Sequence, residues 1–377
     1  MKMKDKCPYA GKCGGCAWFD HEYQDQLEQK LKKINDTLTG VGPFTIDQIV
    51  PCPELFYYRN RMDFAFGPNL ELGLRETDRW DSVINLDQCH LLSEDGSEVL
   101  RRVNQWARST KLPGWDPKKN QGVLRYCIIR EGKNTGQRLV MILVYKNSEA
   151  LCIDELKNSL ADLASSIVLG INDERTDVSR AGVIIPVKGD PWLEEEINGF
   201  RYRIHPNSFF QTNSVMATKL QDTVKEFCGD LKNKTLLDLY CGSGFFSIAF
   251  ANDCARTIGI ELDPAGIAAA RTNAELNNIS NVEYHVSKAE EFDWAGIKPN
   301  VVIVDPPRSG SNYKVLDTLR SALPERIVYV SCNYQRFLKE LPALSRHYQI
   351  TKMRALDLFP HTPHVELVSL LQRKPTT

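Results

Sequence analysis

Leu236-Leu237-Asp238-Leu239-Tyr240-Cys241-Gly242-Ser243-Gly244-Phe245-Phe246-Ser247 is the stretch that sets the reading of this chain. An apolar run breaks at a Gly-x-Gly turn, and a helix is read over 247–251. A buried parallel strand hands over to a helix in this way in an open α/β sheet. Glycines at such a turn let a ligand approach the backbone at the helix N-terminus. The third glycine of the dinucleotide fingerprint is absent, Phe245 and Phe246 stand ahead of Ser247, and the acidic Asp238 lies inside the strand. Those departures favour S-adenosylmethionine, which has no pyrophosphate to cradle, over a nicotinamide dinucleotide. About twenty residues further on, Thr257-Ile258-Gly259-Ile260 ends at Glu261, placed to hydrogen-bond both ribose hydroxyls; the plain alternative is a surface acid.

Outward from that turn, strand and helix patterns alternate from Arg201 onward, which predicts a doubly wound, Rossmann-like α/β sheet. Val301-Val302-Ile303-Val304 runs into Asp305-Pro306-Pro307-Arg308. Both prolines fix φ and withhold an N–H, so the chain turns rigidly at the sheet's carboxyl edge and presents Asp305 and Arg308 to a cleft. A helix over 314–322 follows. Ile327-Val328-Tyr329-Val330 then stops at Ser331-Cys332-Asn333. A cysteine at the carboxyl end of such a strand sits where open α/β sheets place their chemistry, and its thiolate is a strong nucleophile. A buried structural cysteine is the bland alternative.

The upstream half reads differently. Cys7, Cys13 and Cys16 lie within ten residues, with Gly14-Gly15 between the last two. Glycines there let the backbone fold tightly enough for the thiolates to converge on a metal, and Cys89 is the best fourth ligand, ahead of Cys52 and Cys127. Spacing leaves a [4Fe–4S] cluster and a structural zinc equally open. An amphipathic helix is read over 20–38 with a narrow apolar face of Leu27, Leu31, Ile34 and Leu38, ended by Thr39-Gly40-Val41-Gly42-Pro43. Between 46 and 187 come strand candidates at 63–66, 70–74, 124–129 and 139–145 and helices at 99–107 and 153–164, an α+β middle domain. Tyr57-Tyr58-Arg59-Asn60-Arg61 interleaves rings and guanidinium groups, a mixture suited to RNA, or else an ordinary basic edge strand.

A chain of 377 residues is expected to form two or three domains. No run approaches the ~18 apolar residues needed to cross a bilayer, and the polar start predicts a cytoplasmic protein with no membrane partner, expected as a monomer. Eleven cysteines in such a chain point to metal or catalytic use more than to disulfides. A net charge of -1 requires any nucleic-acid surface to be local.

Taken together, these motifs resemble the RNA (uracil-C5)-methyltransferase family, from Cys7 to Glu366. The likeness rests on Cys-x5-Cys-Gly-Gly-Cys with Cys89, Asn207-Ser-Phe-Phe-Gln211-Thr-Asn213, the Gly-x-Gly stretch, Asp305-Pro-Pro-Arg308, Ser331-Cys332-Asn333 and Phe359-Pro-His361-Thr-Pro-His364-Val-Glu366. The resemblance implies that Gln211, Tyr240, Phe245, Glu261 and Asp305 contact S-adenosylmethionine, that Cys332 is the nucleophile, and that Glu366 is the base. It favours a [4Fe–4S] cluster over zinc on Cys7, Cys13, Cys16 and Cys89. Discontinuous domains are expected: 1–17 with 50–204 for the cluster-bearing middle domain and RNA contacts, 18–49 with 205–377 for the catalytic domain. Many members carry a small β-barrel before the cysteines; six residues precede Cys7 here, so substrate grip is expected from the middle domain and the cleft. Phe245, where relatives commonly have a smaller or polar residue, is expected to touch the methyl donor through its backbone or ring face.

The chemistry accounts for these residue types. Carbon 5 of uracil is a weak nucleophile until a thiolate adds to C6, and a base must later remove the C5 proton. Arg308 could stabilise charge on O4. His361 and His364 have metal-ligand spacing but are expected to order the loop around Glu366. Base extrusion favours a looped RNA; the expected substrate is 23S ribosomal RNA, with transfer RNA as the alternative. The competing functions are an iron–sulfur redox protein with a nucleotide cofactor and a zinc-bearing RNA-binding module with an inactive methyltransferase fold.

Overall fold

Two sheets and one hairpin carry the architecture of the computed structural model, which describes residues 2–375 except 41, 43 and 148. The larger sheet has eight strands in the order Ile49–Val50, Tyr348–Leu356, Glu366–Arg373, Arg326–Ser331, Val301–Val304, Thr235–Leu239, Arg256–Glu261 and Val282–Val286. Glu366–Arg373 runs antiparallel to both neighbours, and the other pairings are parallel. Side chains alternate between two cores, as the twofold period of a strand requires. Leu236, Ile303 and Val328 face the helices Ser214–Cys228, Phe245–Ala251 and Pro264–Leu276. Leu237, Val302 and Ile327 face Tyr313–Ala322, Tyr334–Leu344 and the N-terminal helix Tyr23–Thr39. The result is the doubly wound sandwich expected from the Gly-x-Gly stretch.

The N-terminal helix departs from its expected face. It buries Gln26, Lys30, Ile34 and Leu38, while Leu27 and Leu31 are only partly covered. The physical reason lies opposite: its first half faces the loop 357–361, whose carboxylate and peptide groups require polar partners. Lys30 Nζ donates to Asp357 Oδ1 at 2.7 Å and to the Phe359 carbonyl at 3.2 Å. Gln26 and His361 exchange bonds, with His361 N donating to Gln26 Oε1 at 2.7 Å. Of the residues expected to end this helix, Val41 and Pro43 lie outside the described set, as do the outermost residues 1 and 376–377 of the expected domain limits.

The smaller sheet has the order Arg79–Asn85, Leu72–Glu76, Arg61–Phe66, Leu124–Glu131, Arg138–Val144, Ser166–Ile171 and Val183–Lys188. It is covered by Glu94–Thr110 and Ile153–Ser159, the two helices expected. Arg79–Asn85, Ser166–Ile171 and Val183–Lys188 were not legible. The first and last are edge strands with exposed charged residues or Pro186, so the apolar alternation is blurred. Leu193–Ile197 and Phe200–Ile204 form a hairpin through Asn198-Gly199, both at positive φ (51° and 78°), the backbone of a tight primed turn. Expected with the middle domain, the hairpin bridges both: Glu195 accepts from Lys133 N and Asn134 N (2.9 and 3.0 Å), while Asn277 and Asn273 Oδ1 accept from the N–H groups of Arg201 (2.9 Å) and Arg203 (2.6 Å).

Candidate active site

The Gly-x-Gly turn is pinned from below and from the side. Tyr240, Gly242 and Gly244 all have positive φ (64°, 54° and 86°), so the chain leaves the strand sharply, and a side chain on Gly244 would meet Tyr284 and Ile248. Buried Asp238 accepts from Ser247 N at 2.9 Å and thereby joins the strand to the helix it feeds. Glu261 accepts from Gly242 N at 3.2 Å and from Asp263 N at 2.9 Å, which fixes its carboxylate beside the turn.

Two strands along, register sets the reactive groups. Leu239 pairs with Val304, and Val304 with Tyr329, so Tyr240 and Asp305 leave the sheet at the same edge as Cys332. Ser331 pairs with Leu367 across the antiparallel junction, which places Cys332 next to Glu366. Asn333 caps the following helix through Arg336 N (3.2 Å) and donates to the Arg308 carbonyl at 3.1 Å, tying the Ser-Cys-Asn turn to the Asp-Pro-Pro-Arg turn. Glu340 clamps the same loop: it accepts from Ser311 N (3.1 Å), Tyr329 OH (2.7 Å) and Arg336 Nε (3.1 Å). Nothing in the sequence flagged this acid, which sits unannounced on a helix.

These elements line one open cleft of about 880 Å³. Gln211, Tyr240, Glu261, Asp305, Cys332 and Glu366 all line it, and so do Arg308, Arg59 and the 68 % exposed ring of Phe209. Phe245 does not. Its ring packs edge-on against Phe210 and Phe246, and its carbonyl accepts from Tyr202 OH and Gln221 Nε2, so the side chain serves the core beneath the turn. Within the expected RNA-contact segment, only Tyr57 and Arg59 keep that possibility. Tyr58 is buried against the Pro360 carbonyl, Asn60 donates to the Gln211 carbonyl and Ser214, and Arg61 is paired twice with Asp63.

The electrostatics of the cleft are acidic. Burial first, then Asp238, pushes Asp305 up to about 8. Burial and the Asp305 charge push Glu366 well above the carboxylate range, against the pull of Arg308. Cys332 is raised to about 11 by burial, then by Glu366 and Asp305. A thiol in this setting is largely protonated at neutral pH and needs added positive charge to ionise.

Away from the cleft, Cys7, Cys13, Cys16 and Cys89 line one cavity with Leu74 and Leu91. Cys52 contacts Asn213 at the domain junction and Cys127 is buried on the strand Leu124–Glu131, so neither joins them. Burial and the neighbouring cysteines raise the Cys16 and Cys89 thiols. Among the described residues, no group of three or more His, Cys, Asp or Glu is arranged to hold a single metal ion. His361 bonds to Leu55 and Gln26, which leaves it a loop-ordering role. No described helix is long and apolar enough to cross a membrane.

The sheet order, the Gly-x-Gly edge and the cleft beneath it define an S-adenosylmethionine-dependent methyltransferase of the class I fold. Residues 190–374 match the family model of the tRNA (Uracil-5-)-methyltransferases. The tRNA (uracil(54)-C(5))-methyltransferase of Pyrococcus furiosus is 37% identical over 375 residues, 99% of this chain and 86% of that protein. An uncharacterised RNA methyltransferase of Nanoarchaeum equitans is 38% identical over 371 residues, 98% and 80% of the two chains. The crystal structure of the Pyrococcus abyssi tRNA (uracil-54, C5)-methyltransferase with S-adenosyl-L-homocysteine superposes with a TM-score of 0.82 at 35% identity, covering 95% of this chain and 86% of that one. The chain belongs to the RNA (uracil-C5)-methyltransferase family. That membership sets aside the redox-protein and inactive-module alternatives.

Proposed function

We propose that this enzyme methylates C5 of uridine 54 in transfer RNA, with Cys332 as nucleophile and Glu366 as base. The ribosomal preference drawn from the sequence gives way here, because relatives 35–37% identical over 98–99% of the chain are named for that transfer RNA position. The observation that carries the mechanism is the pairing of Ser331 with Leu367, which seats a thiol and a buried carboxyl side by side in the cleft that Glu261 and the Gly-x-Gly turn also line.

S-adenosylmethionine, when bound, supplies an electrophilic methyl group on a sulfonium. Glu261 is held ready for its ribose hydroxyls, Tyr240 and Asp305 leave the sheet between Glu261 and Cys332, and Gln211 lines the same cleft. Cys332 Sγ attacks uracil C6, forming the S–C6 bond and moving the C5–C6 π pair into an enolate over C5, C4 and O4. Arg308, on the same wall, stabilises the charge on O4. Once C5 bears the methyl group, Glu366 takes the C5 proton as the S–C6 bond breaks, which restores the C5–C6 double bond and the free cysteine.

The four N-terminal cysteines are assigned a [4Fe–4S] cluster. Their convergence on one cavity supports a metal, since four neighbouring thiols gain little from one another as neutral groups. The family resemblance favours a cluster over zinc on these four positions.

The test of substrate is direct: unmodified transfer RNA and 23S ribosomal RNA are each incubated with the enzyme and methyl-labelled S-adenosylmethionine, then digested and mapped. Label in 5-methyluridine at position 54 of transfer RNA is expected. Label confined to ribosomal RNA would overturn the assignment.

A further inference from the structure

We propose that Asp305 and Glu366 act together as a charge-sensing pair that makes the cleft prefer the cationic methyl donor over its neutral thioether product. The inference rests on the reading of this cleft as the methyl-donor site and adds a role for the acids before any chemistry begins.

The geometry supplies the argument. Glu366 is 3% exposed, Asp305 is half-buried, and both line the wall that holds Cys332. Among the described residues, no Lys, Arg or His nitrogen lies within 4.0 Å of either carboxyl, and neither carboxyl makes a hydrogen bond. Two acids on one cleft wall with no cationic partner repel one another, and their partial burial adds a desolvation cost to ionising both. Two other buried acids are compensated by cations, Asp357 by Lys30 and Glu131 by Lys133 and Arg138, whereas Asp238 has only the Ser247 N–H. Here the compensating charge is missing from the chain.

The charged and titratable groups facing the pair do not supply it. Asp238, Tyr240 and Glu261 come from the neighbouring strands, and Cys332 from its own edge. Exposed Arg308 acts on both Glu366 and Cys332 from beyond ion-pair distance, and it lies close to exposed His364. Arg59, Lys288 and Glu290 line other parts of the cleft. In the free protein at neutral pH the pair therefore keeps a proton, as burial and mutual repulsion require. A ligand that brings a fixed positive charge lets the pair release that proton to solvent; a ligand lacking it leaves the proton in place. The aminoacyl and adenosyl parts are common to donor and product, so the difference isolates the sulfonium.

The test is calorimetry on the full-length protein at pH 7 in buffers of different ionisation enthalpy. The probes are S-adenosylmethionine, S-adenosylhomocysteine and sinefungin, whose amine replaces the sulfonium. About one more proton is released with the two cations than with the thioether, and the donor binds about tenfold or more tighter than the product, matching a shift of one pKa unit or more. Raising the pH through the range of the pair removes the extra proton release and strengthens donor binding to a plateau. Asp305→Asn and, separately, Glu366→Gln each shrink both the proton release and the donor-over-product ratio. Equal proton release for all three ligands on the native protein, or a ratio untouched in both variants, overturns the inference while leaving the donor site intact. Failure of every ligand to bind overturns the donor-site reading with it.

Discussion

Ser331 is paired with Leu367 between the antiparallel strands Arg326–Ser331 and Glu366–Arg373, so Cys332 and Glu366 meet at one edge of the sheet. Opposed positions on antiparallel strands bring Cβ atoms within about 4.5–5.5 Å on the same face. The thiol and the carboxyl are thus set by backbone register, and a slip of one residue would turn Glu366 to the opposite face. Their nearness has an electrostatic cost, since the Glu366 charge raises the proton affinity of the Cys332 thiol.

Loss of the nucleophile follows most simply. Cys332→Ala lowers the single-turnover methylation rate by on the order of 10⁴-fold, while S-adenosylmethionine binding persists, because the cofactor wall at Glu261 and Gly242 is untouched. Rapid-quench assays with saturating RNA check this; a rate within tenfold of wild type would reject the role.

Asp238 gives a pH prediction. Burial pushes its carboxyl up to about 7, whereas the unfolded chain ionises near 3.9. Between pH 4 and 7 the native state holds the extra proton, so stability falls as pH rises through that window and is flat above it. Asp238→Asn removes that loss. Relative to wild type, the variant gains roughly 2–4 kcal/mol between pH 4 and 8 by denaturant titration; a pH-independent difference would refute it.

Lys30 and Asp357 form an ion pair with both side chains 0% exposed, joining the N-terminal helix to the loop that precedes Glu366. Burial lowers the Lys30 pKa, and Asp357 opposes the shift. Lys30→Met alone leaves a buried carboxylate and costs about 3–5 kcal/mol. Adding Asp357→Leu recovers most of that loss, and a double-mutant cycle in urea measures the recovery.

For the cysteine cavity, anaerobically purified protein is expected to carry iron and sulfide in equal amounts with visible absorbance, and Cys16→Ser to lose both. Stoichiometric zinc without iron would end the cluster assignment.

Much of the site was legible because its residues sit on strand ends, where an apolar run stopping at Cys332, Asp305 or Glu261 is visible in one dimension. The direction of the Phe245 ring was not legible because a residue beside a glycine turn can point into the cleft or under it, and the aromatic packing that decides this comes from Phe210 and Tyr202, distant in sequence. Gln26, Lys30 and Glu340 escaped notice for the same reason. Each is polar on a helix and reads as solvated until its partners His361, Asp357 and Tyr329 are seen. The edge strand Val183–Lys188 was hidden by Pro186 and its exposure.

The account turns on the division of labour between Cys332 and Glu366, and trapping tests it. Glu366→Gln is incubated with unmodified transfer RNA and S-adenosylmethionine, denatured, and analysed by mass spectrometry. A stable protein–RNA adduct at Cys332 carrying one added methyl group is the predicted result; free 5-methyluridine formed at the wild-type rate, with no adduct, would contradict it.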